Sequence, residues 1–296
     1  MFGNSMDFWD DAARSVTSND NTSQIVAAGH RGAEAVSPSG LISVVSPGQL
    51  TESLPADGMK SAGAYELKYL IDRDRAQQIA TWARKHLDPD PHAGPQDQYQ
   101  VNSLYLDTPM FDVFHRTEAF RQRKYRLRRY GNEDTIWLEI KQKRKGLVRK
   151  QRVKSSDNVL PELFTCARDR EWDGAWYCDE LRQQDLRPVT QVTYQRFARI
   201  GTTAHGTMRL TIDDHLNGQI CKEWTVPSEP LTVIPLLEGQ CILELKFQAV
   251  MPVLFRQFVW DEQLLTTSFS KYRTSVEECI PLDWIAGENQ AGLSHA

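Results

Sequence analysis

The sequence predicts an α+β protein built around a closed antiparallel β-barrel with flanking helices. From about residue 64 onward, short segments alternate polar and apolar residues with period two, which is typical of strands with one buried face. The pairs Gly131-Asn132 and Lys145-Gly146 separate neighbouring segments and are typical hairpin turns. The polar faces of six segments carry matching charges, and closing such a sheet on itself leaves no exposed edge strand.

The chain divides into a leader, a folded domain and a tail. Residues 1–60 hold 12 Ser or Thr, six Gly and three Pro with little apolar periodicity, so we expect residues 1–61 to be a disordered leader. Residues 62–282 carry the strand and helix patterns and are predicted to form one domain. Residues 283–296 are predicted to be a flexible tail.

Within the domain, the elements follow one another in a regular order. The first strand is predicted at residues 65–71, and Asp72 is suited to cap a following helix. Further strands are predicted at residues 100–107, 122–130, 135–143, 147–154, 189–200, 208–216, 219–225 and 241–247. A helical and irregular stretch covers residues 158–185. Pro252 opens a last helix, whose apolar positions include Phe255, Phe258 and Trp260.

Cations and carboxylates share one face on each of six strands, because they occupy alternate positions. These sets are Glu66 and Lys68; Lys124, Arg126 and Arg128; Glu139, Lys141 and Lys143; Tyr194 and Arg196; Arg209, Thr211 and Asp213; and Glu244 and Lys246. On one strand alone, such a face more often points to solvent. Six together favour a charged interior, and gathering so many cations makes physical sense only if a polyanion occupies it.

The overall charge excludes a broadly basic nucleic-acid-binding protein, because the formal net charge is -4. Basic residues concentrate between Arg121 and Lys154, where 14 Lys or Arg face three acids. An RNA-binding face around Arg126 and Arg128 is the alternative. The five cysteines are widely spaced and are interpreted as reduced thiols. Neither a secretory signal nor a run of about 18 apolar residues is present, so we expect a cytoplasmic protein without a transmembrane segment.

Phosphate is the anion that this pattern favours. Guanidinium groups bind phosphate oxygens bidentately, and cations at about 7 Å intervals along a strand match a repeating anion. A carboxylate such as Glu244 or Glu66 among these cations would hold a divalent metal or neutralise a neighbouring cation. The metal interpretation favours Mg²⁺ or Mn²⁺.

Seven segments in order resemble the VTC domain, the polyphosphate polymerase module of the vacuolar transporter chaperone complex and a branch of the triphosphate tunnel metalloenzymes. They are Tyr65-Glu66-Leu67-Lys68-Tyr69, residues 124–130, Leu138-Glu139-Ile140-Lys141, Tyr194-Gln195-Arg196, Arg209-Leu210-Thr211-Ile212-Asp213, Leu243-Glu244-Leu245-Lys246 and Phe269-Ser270-Lys271-Tyr272. The resemblance implies an eight-stranded tunnel that transfers the γ-phosphoryl group of ATP to a growing polyphosphate chain.

The resemblance also implies roles for individual residues. Arg126, Arg128, Lys271, Ser270 and Tyr194 are expected to act on the transferring phosphate or the chain end. Lys68, Lys141, Arg196, Arg209, Glu66 and Lys246 would line the tunnel and serve phosphate binding, and Glu244 would hold the metal. Lys150 resembles a further family lysine, with Arg149 and Arg152 competing for that position.

Two alternatives to a polymerase stay open within the same superfamily. Triphosphate hydrolases and adenylate cyclases of the CYTH type resemble ExExK at the first strand, whereas this chain has Ala64 in place of the first carboxylate. That departure favours polymer synthesis over hydrolysis. A polyphosphate sensor without turnover would share every cation. The sequence leaves open the primer, the metal, the oligomeric state and whether a membrane-protein partner moves the product.

Overall fold

The computed structural model describes residues 63–165, 172–227 and 233–285. The predicted leader lies outside the described residues, as do residues 286–296 of the predicted tail. Residues 283–285 of that tail lie in a short helix.

Ten strands and seven helices are described. The strands are β1 (Ala64–Asp72), β2 (Asp88–Pro89), β3 (Gln98–Asp107), β4 (Arg123–Tyr130), β5 (Ile136–Arg144), β6 (Leu147–Ser155), β7 (Arg187–Thr203), β8 (Gly206–Ile220), β9 (Ile234–Pro235) and β10 (Gln240–Phe247). The helices are α1 (Arg73–His86), α2 (Asp112–His115), α3 (Leu160–Thr165), α4 (Ala175–Gln183), α5 (Val253–Asp261), α6 (Lys271–Cys279) and α7 (Leu282–Ile285).

Eight of the strands form a ring of antiparallel pairings. Their order is β7-β3-β4-β5-β6-β1-β10-β8, and β8 pairs back to β7. The pairing between β1 and β6 is short, with Ala64 opposite Val148 and Tyr65 opposite Leu147. The two-residue strands β2 and β9 extend the sheet at β7 and β8. The predicted antiparallel α+β architecture is therefore confirmed.

The apolar faces of the strands point away from the ring and are covered by helices. Tyr69 and Ile71 of β1 belong to one buried cluster with Leu243 and Leu245 of β10. Side chains from α1 and α5, including Ile79, Ala83, Phe255 and Phe258, belong to the same cluster. Burying one such large apolar side chain contributes about 1.5–3 kcal/mol. Because side chains alternate along a strand, this packing turns the charged faces toward the ring interior.

Local signals in the sequence explain where several elements begin and turn. The Asp72 carboxylate accepts a hydrogen bond from the backbone N–H of Arg75 at 2.8 Å and so caps α1, as predicted. Lys145 and Gly146 form the two-residue turn between β5 and β6, and both have the positive φ angles, 48° and 77°, that such a turn requires. Gly131, with a φ of 50°, begins the longer connection that runs from the end of β4 at Tyr130 to the start of β5 at Ile136. These turns set the register of β4, β5 and β6.

Two details of the element prediction were wrong. Residues 219–225 do not form a separate strand, because β8 runs through to Ile220 while it is paired with β7 and the strand ends there. Trp260 does not join the buried face of α5, and 82% of its surface is exposed. It lies five residues after Phe255, which places it on another side of the helix.

Candidate anion-binding cavity

The ring of strands encloses a polar cavity of about 110 Å³. Its lining comprises Glu66, Lys68, Tyr105, Lys124, Arg126, Arg128, Tyr130, Lys141, Val148, Lys150, Tyr194, Arg196, Arg209, Thr211, Glu244, Lys246 and Lys271. Twelve of the thirteen site residues predicted from the sequence are therefore brought together in one place. The exception is Ser270.

Ser270 lies at the N-terminus of α6 and acts through a neighbour. Its hydroxyl caps the helix by accepting from the backbone N–H of Arg273 at 3.4 Å. The same oxygen accepts a hydrogen bond from the Lys124 ammonium at 2.7 Å. Ser270 thus holds a cavity lysine in place, while Lys271 at the next position projects into the cavity itself.

Glu139 is fully buried on the inner face of β5 and pairs with two cations. Arg126 contacts its Oε2 through Nε at 2.7 Å and Nη2 at 2.6 Å, and the Lys150 ammonium lies 3.2 Å from Oε1. Burial alone would raise the pKa of Glu139, but attraction to Arg126, Lys150 and Arg128 outweighs it and holds the pKa well below its usual range. Glu139 is therefore ionised at neutral pH.

Asp213 makes a matching arrangement on the opposite wall. Arg196 donates to its two carboxylate oxygens at 2.6 and 2.7 Å, and Lys271 donates to Oδ2 at 2.6 Å. Burial acts to raise the pKa of Asp213, but the two cations outweigh it and lower the pKa to about 2. Lys271, which follows a loop, is thereby fixed against a ring strand.

Glu66 and Glu244 lie on adjacent strands and share three lysines. Glu66 is opposite Lys246 in the register, and Glu244 is opposite Lys68. Glu66 accepts a hydrogen bond from Lys141 at 2.6 Å and lies 3.6 Å from Lys246, while Lys68 lies 3.8 Å from Glu244. Burial acts to raise both carboxyl pKa values, but the lysines outweigh it and lower them. Both carboxylates face the cavity as anions.

The cavity keeps an excess of positive charge. Arg209 is paired with Asp90 at 2.7 Å, so the ten lining Lys and Arg side chains face five carboxylates, which leaves a formal net charge of +5. Arg128, only 4% exposed, has no carboxylate within 4.0 Å in the described part of the chain and donates to the Ser103 hydroxyl at 3.0 Å. Burial, followed by repulsion from Lys68 and Lys141, lowers the pKa of Lys124 well below its usual value. An anion bound between these groups would offset both the energetic cost of burying the cations and their mutual repulsion.

The donor set suits a divalent metal only if substrate oxygens complete it. Among the described residues, no three His, Cys, Asp or Glu side chains are grouped to hold an ion. Mg²⁺ typically binds through one or two carboxylates together with phosphate oxygens, which matches Glu244 and Glu66. Thr211 lies opposite Glu244 in the register, and its buried hydroxyl oxygen has no hydrogen-bond partner. This unpartnered oxygen beside Glu244 is consistent with a ligand at that position.

Alternation along β6 places Arg149 on the outer face, whereas Lys150 and Arg152 share the inner face and differ in what they contact. Lys150 lines the cavity and pairs with Glu139. Arg149 is exposed on the outer side. The Arg152 guanidinium stacks over the Trp137 ring, 4.1 Å from its centroid. Lys150 is the one whose ammonium reaches the site.

Seven polar groups of the site were absent from the sequence-predicted set: Lys124, Tyr105, Tyr130, Thr211, Glu139, Asp213 and Asp90. Four of them occupy the charged strand faces already recognised from the sequence, so the alternation of side chains along each strand would have been enough to find them. Tyr130 continues the face of Arg128, and Tyr105 is opposite Arg126 in the register. Asp90, the partner of Arg209, lies in a Pro-rich turn, where side chains follow no regular alternation that could predict its position.

The fold and the site together define a class of protein in which a ring of antiparallel strands surrounds an interior lined by cations. The chain belongs to the VTC domain family, whose profile matches residues 63–280. A comparison with curated proteins gives no match. None of the described helices is long and apolar enough to cross a membrane.

Several solved structures share parts of this arrangement at low identity. A putative adenylate cyclase from Bacillus halodurans is 13% identical, with a TM-score of 0.44 over 71% of this chain and 95% of its own. A putative adenylyl cyclase from Hippeastrum, described as having a dominant triphosphatase activity, is 12% identical, with a TM-score of 0.42 over 75% and 99%. The PH1819 protein of Pyrococcus horikoshii OT3 is 13% identical, with a TM-score of 0.41 over 72% and 98%. Likeness at this level carries no functional inference.

Proposed function

We propose that the protein is a polyphosphate polymerase that transfers the γ-phosphoryl group of ATP to a growing polyphosphate chain inside a closed tunnel. The observation that carries this proposal is the formal net charge of +5 in a cavity lined by ten Lys and Arg side chains. Membership of the VTC domain family supports a protein that binds triphosphates or polyphosphate. The predicted cytoplasmic location stays a prediction.

Phosphate binding follows from the present pairing of the cations. Arg126, Arg196 and Lys271 contact carboxylates on the inner faces of the ring strands, and each carries further N–H donors for an anion in the cavity. The carboxylates hold the cations together when no anion is present, which limits their mutual repulsion. A polyphosphate chain would exchange part of this pairing for charge-assisted hydrogen bonds to its own oxygens.

The proposed reaction needs alignment more than covalent chemistry. A terminal oxygen of the chain forms the new bond to the γ-phosphorus, the bond to the bridging oxygen breaks, and ADP leaves. Arg126, Arg128 and Lys271 would stabilise the charge on the equatorial oxygens of the transferring group. Tyr194 lies beneath Arg196 and Lys271, with their charged groups 5.3 and 4.7 Å from its ring centroid, and keeps both cations directed at the cavity. An ionised phosphate nucleophile requires no general base.

Mn²⁺ or Mg²⁺ would be held by Glu244 with Glu66 nearby. When bound there, the ion would supply positive charge that stabilises the negative charge developing on the leaving group. Lys68 and Lys141 remain close to these carboxylates and would keep the phosphate chain beside them. Ala64 stands opposite Val148, so neither of these two ring positions supplies a further carboxylate, which favours polymer synthesis over metal-assisted hydrolysis.

Incubating the purified protein with ATP and Mn²⁺ or Mg²⁺ tests the proposal. Free phosphate, ADP and long-chain polymer are followed together. Polymer formed with stoichiometric ADP supports the polymerase. Free phosphate without polymer would identify a triphosphatase, and tight polyphosphate binding without turnover would identify a sensor.

Two substitutions test the assigned residues. We expect Arg128→Ala and Glu244→Ala each to abolish turnover, because one removes a buried cation without a carboxylate partner and the other removes the predicted metal ligand. Circular dichroism and thermal denaturation check that the fold is kept. Arg187→Ala, an exposed arginine paired with Asp185, is the control and should retain activity. Full activity in either site variant would contradict the assignment.

A further inference from the structure

The outer side of β4, β5 and β6 carries a second group of cations. Arg121, Arg144 and Arg149 are all exposed, and we call them the outer arginine patch. The backbone N–H of Lys143 donates to Gln122 at 2.9 Å, which extends the β4–β5 pairing and brings Arg121 next to Arg144. Arg144 is opposite Leu147, so Arg149 is its diagonal neighbour at roughly 7–8 Å between Cα atoms. The three arginines therefore form one cluster.

The outer arginine patch lacks the neutralisation found inside the ring. None of its three arginines has a carboxylate within 4.0 Å in the described ranges, whereas Arg123 at the adjacent outward position pairs with Glu180 at 3.5 Å. Holding like charges together on a surface without counter-charges is unfavourable. An external anion would turn this repulsion into attraction.

The patch is continuous with the cavity. Lys141 lines the cavity, and Lys143, two residues later on the same face of β5, is exposed. Burial, then the nearby Lys68 and Lys141, lowers the pKa of Lys143, which agrees with its position at the mouth. Arg144 and Lys145 follow at the tip of the hairpin. Cations thus continue along β5 from the interior to the outer surface at steps of about 3.4–7 Å.

We infer that the outer arginine patch binds a stretch of linear polyphosphate that continues out of the cavity past Lys143. The inference rests on the proposed function, because it takes the chain inside the tunnel as its starting point. Exposed guanidinium groups are weakly hydrated and grip successive phosphates bidentately. Single-stranded nucleic acid is disfavoured, because residues 121–123 and 142–149 contain no aromatic side chain and the ring of nearby Tyr65, opposite Leu147, is already stacked on Phe247.

The experiment compares a short and a long ligand at several salt concentrations. Tripolyphosphate is short enough to occupy the cavity alone, whereas long-chain polyphosphate reaches the patch. In the triple variant Arg121→Gln, Arg144→Gln, Arg149→Gln, we expect about tenfold weaker binding of the long chain near 0.15 M salt and unchanged binding of tripolyphosphate. The slope of log K against log salt should fall by about two for the long chain, since each lost contact removes roughly 0.7.

A matched variant controls for net charge. Lys85→Gln, Lys222→Gln, Arg256→Gln removes three exposed cations outside the patch and should bind both ligands like the wild type. If the patch variant binds long-chain polyphosphate as tightly as the wild type, or if its affinity for tripolyphosphate falls by the same factor, the inference is overturned. The proposal that the cavity binds phosphate would stand in either case. Equal patch-dependent binding of single-stranded RNA would also overturn it. Absence of tripolyphosphate binding in the wild type would instead refute the proposed function.

Discussion

Replacing Glu139 by Gln tests whether wall carboxylates neutralise the cations of the empty cavity. The substitution keeps the size of the side chain but removes the charge that pairs with Arg126 and Lys150 at 2.6 and 3.2 Å. Breaking a buried ion pair from one side costs about 3–5 kcal/mol. Because Gln retains one acceptor oxygen, we expect a loss near 3 kcal/mol. For a domain of this size, that loss lowers Tm by roughly 6–12 °C.

Thermal denaturation with and without tripolyphosphate measures this effect. Without ligand, Glu139→Gln should melt earlier than the wild type, and saturating tripolyphosphate should recover much of the difference by supplying new partners for Arg126 and Lys150. The variant should also bind tripolyphosphate more tightly, because no carboxylate competes for these cations. Glu133→Gln, at the exposed β4–β5 turn, is the control. A Tm equal to that of the wild type, or weaker ligand binding, would refute the reasoning.

Acid should destabilise the wild type partly through the same group. The folded-state pKa of Glu139 is lowered, so its pairing contributes stability above the ordinary carboxyl pKa of 4.5, and that contribution is lost as pH falls through the lowered value. The acid limb of the stability curve should therefore be shallower in Glu139→Gln than in the wild type. Equal slopes of stability against pH in the acid range for the two proteins would contradict this assignment.

Two further predictions concern the tyrosine beside Arg128 and a buried aspartate. Burial acts to raise the pKa of Tyr130, but Arg128 outweighs it and lowers the pKa to about 8. Raising the pH through 8 should therefore weaken tripolyphosphate binding less in Tyr130→Phe than in the wild type, and identical titration profiles would contradict this. Asp107, fully buried, accepts hydrogen bonds from the backbone N–H groups of Val113 and Phe114 and from the Tyr272 hydroxyl. Asp107→Asn should cost about 1–3 kcal/mol by placing an amide donor among donors, and an unchanged Tm would disprove that role.

The strand faces could be predicted from the sequence because side-chain alternation is strict. Lys68, Arg126 and Glu244 each stand two positions from another charge of their strand face, and all three reach the cavity. The apolar positions between them, such as Leu127 and Leu245, are fully buried on the other side. One period-two pattern therefore encodes both the interior and the helix-covered exterior.

Contacts between distant parts of the chain could not be predicted this way. The hydrogen bond between Tyr272 and Asp107 spans 165 positions, and it holds α6, the helix that begins at Lys271. Asp90 reaches Arg209 from a turn that has no periodicity. The place of Lys271 was known only through the family resemblance. Tertiary packing, which no local pattern specifies, decides these positions.

The central claim is that a phosphate chain lies inside the ring among the inward-facing cations. A crystal structure with tripolyphosphate and Mn²⁺ tests it most directly. We predict phosphate oxygens within hydrogen-bonding distance of Arg126, Arg128 and Lys271, with the metal at Glu244. Tripolyphosphate bound only on the outer surface, with the cavity cations still paired solely to their carboxylates, would contradict the claim.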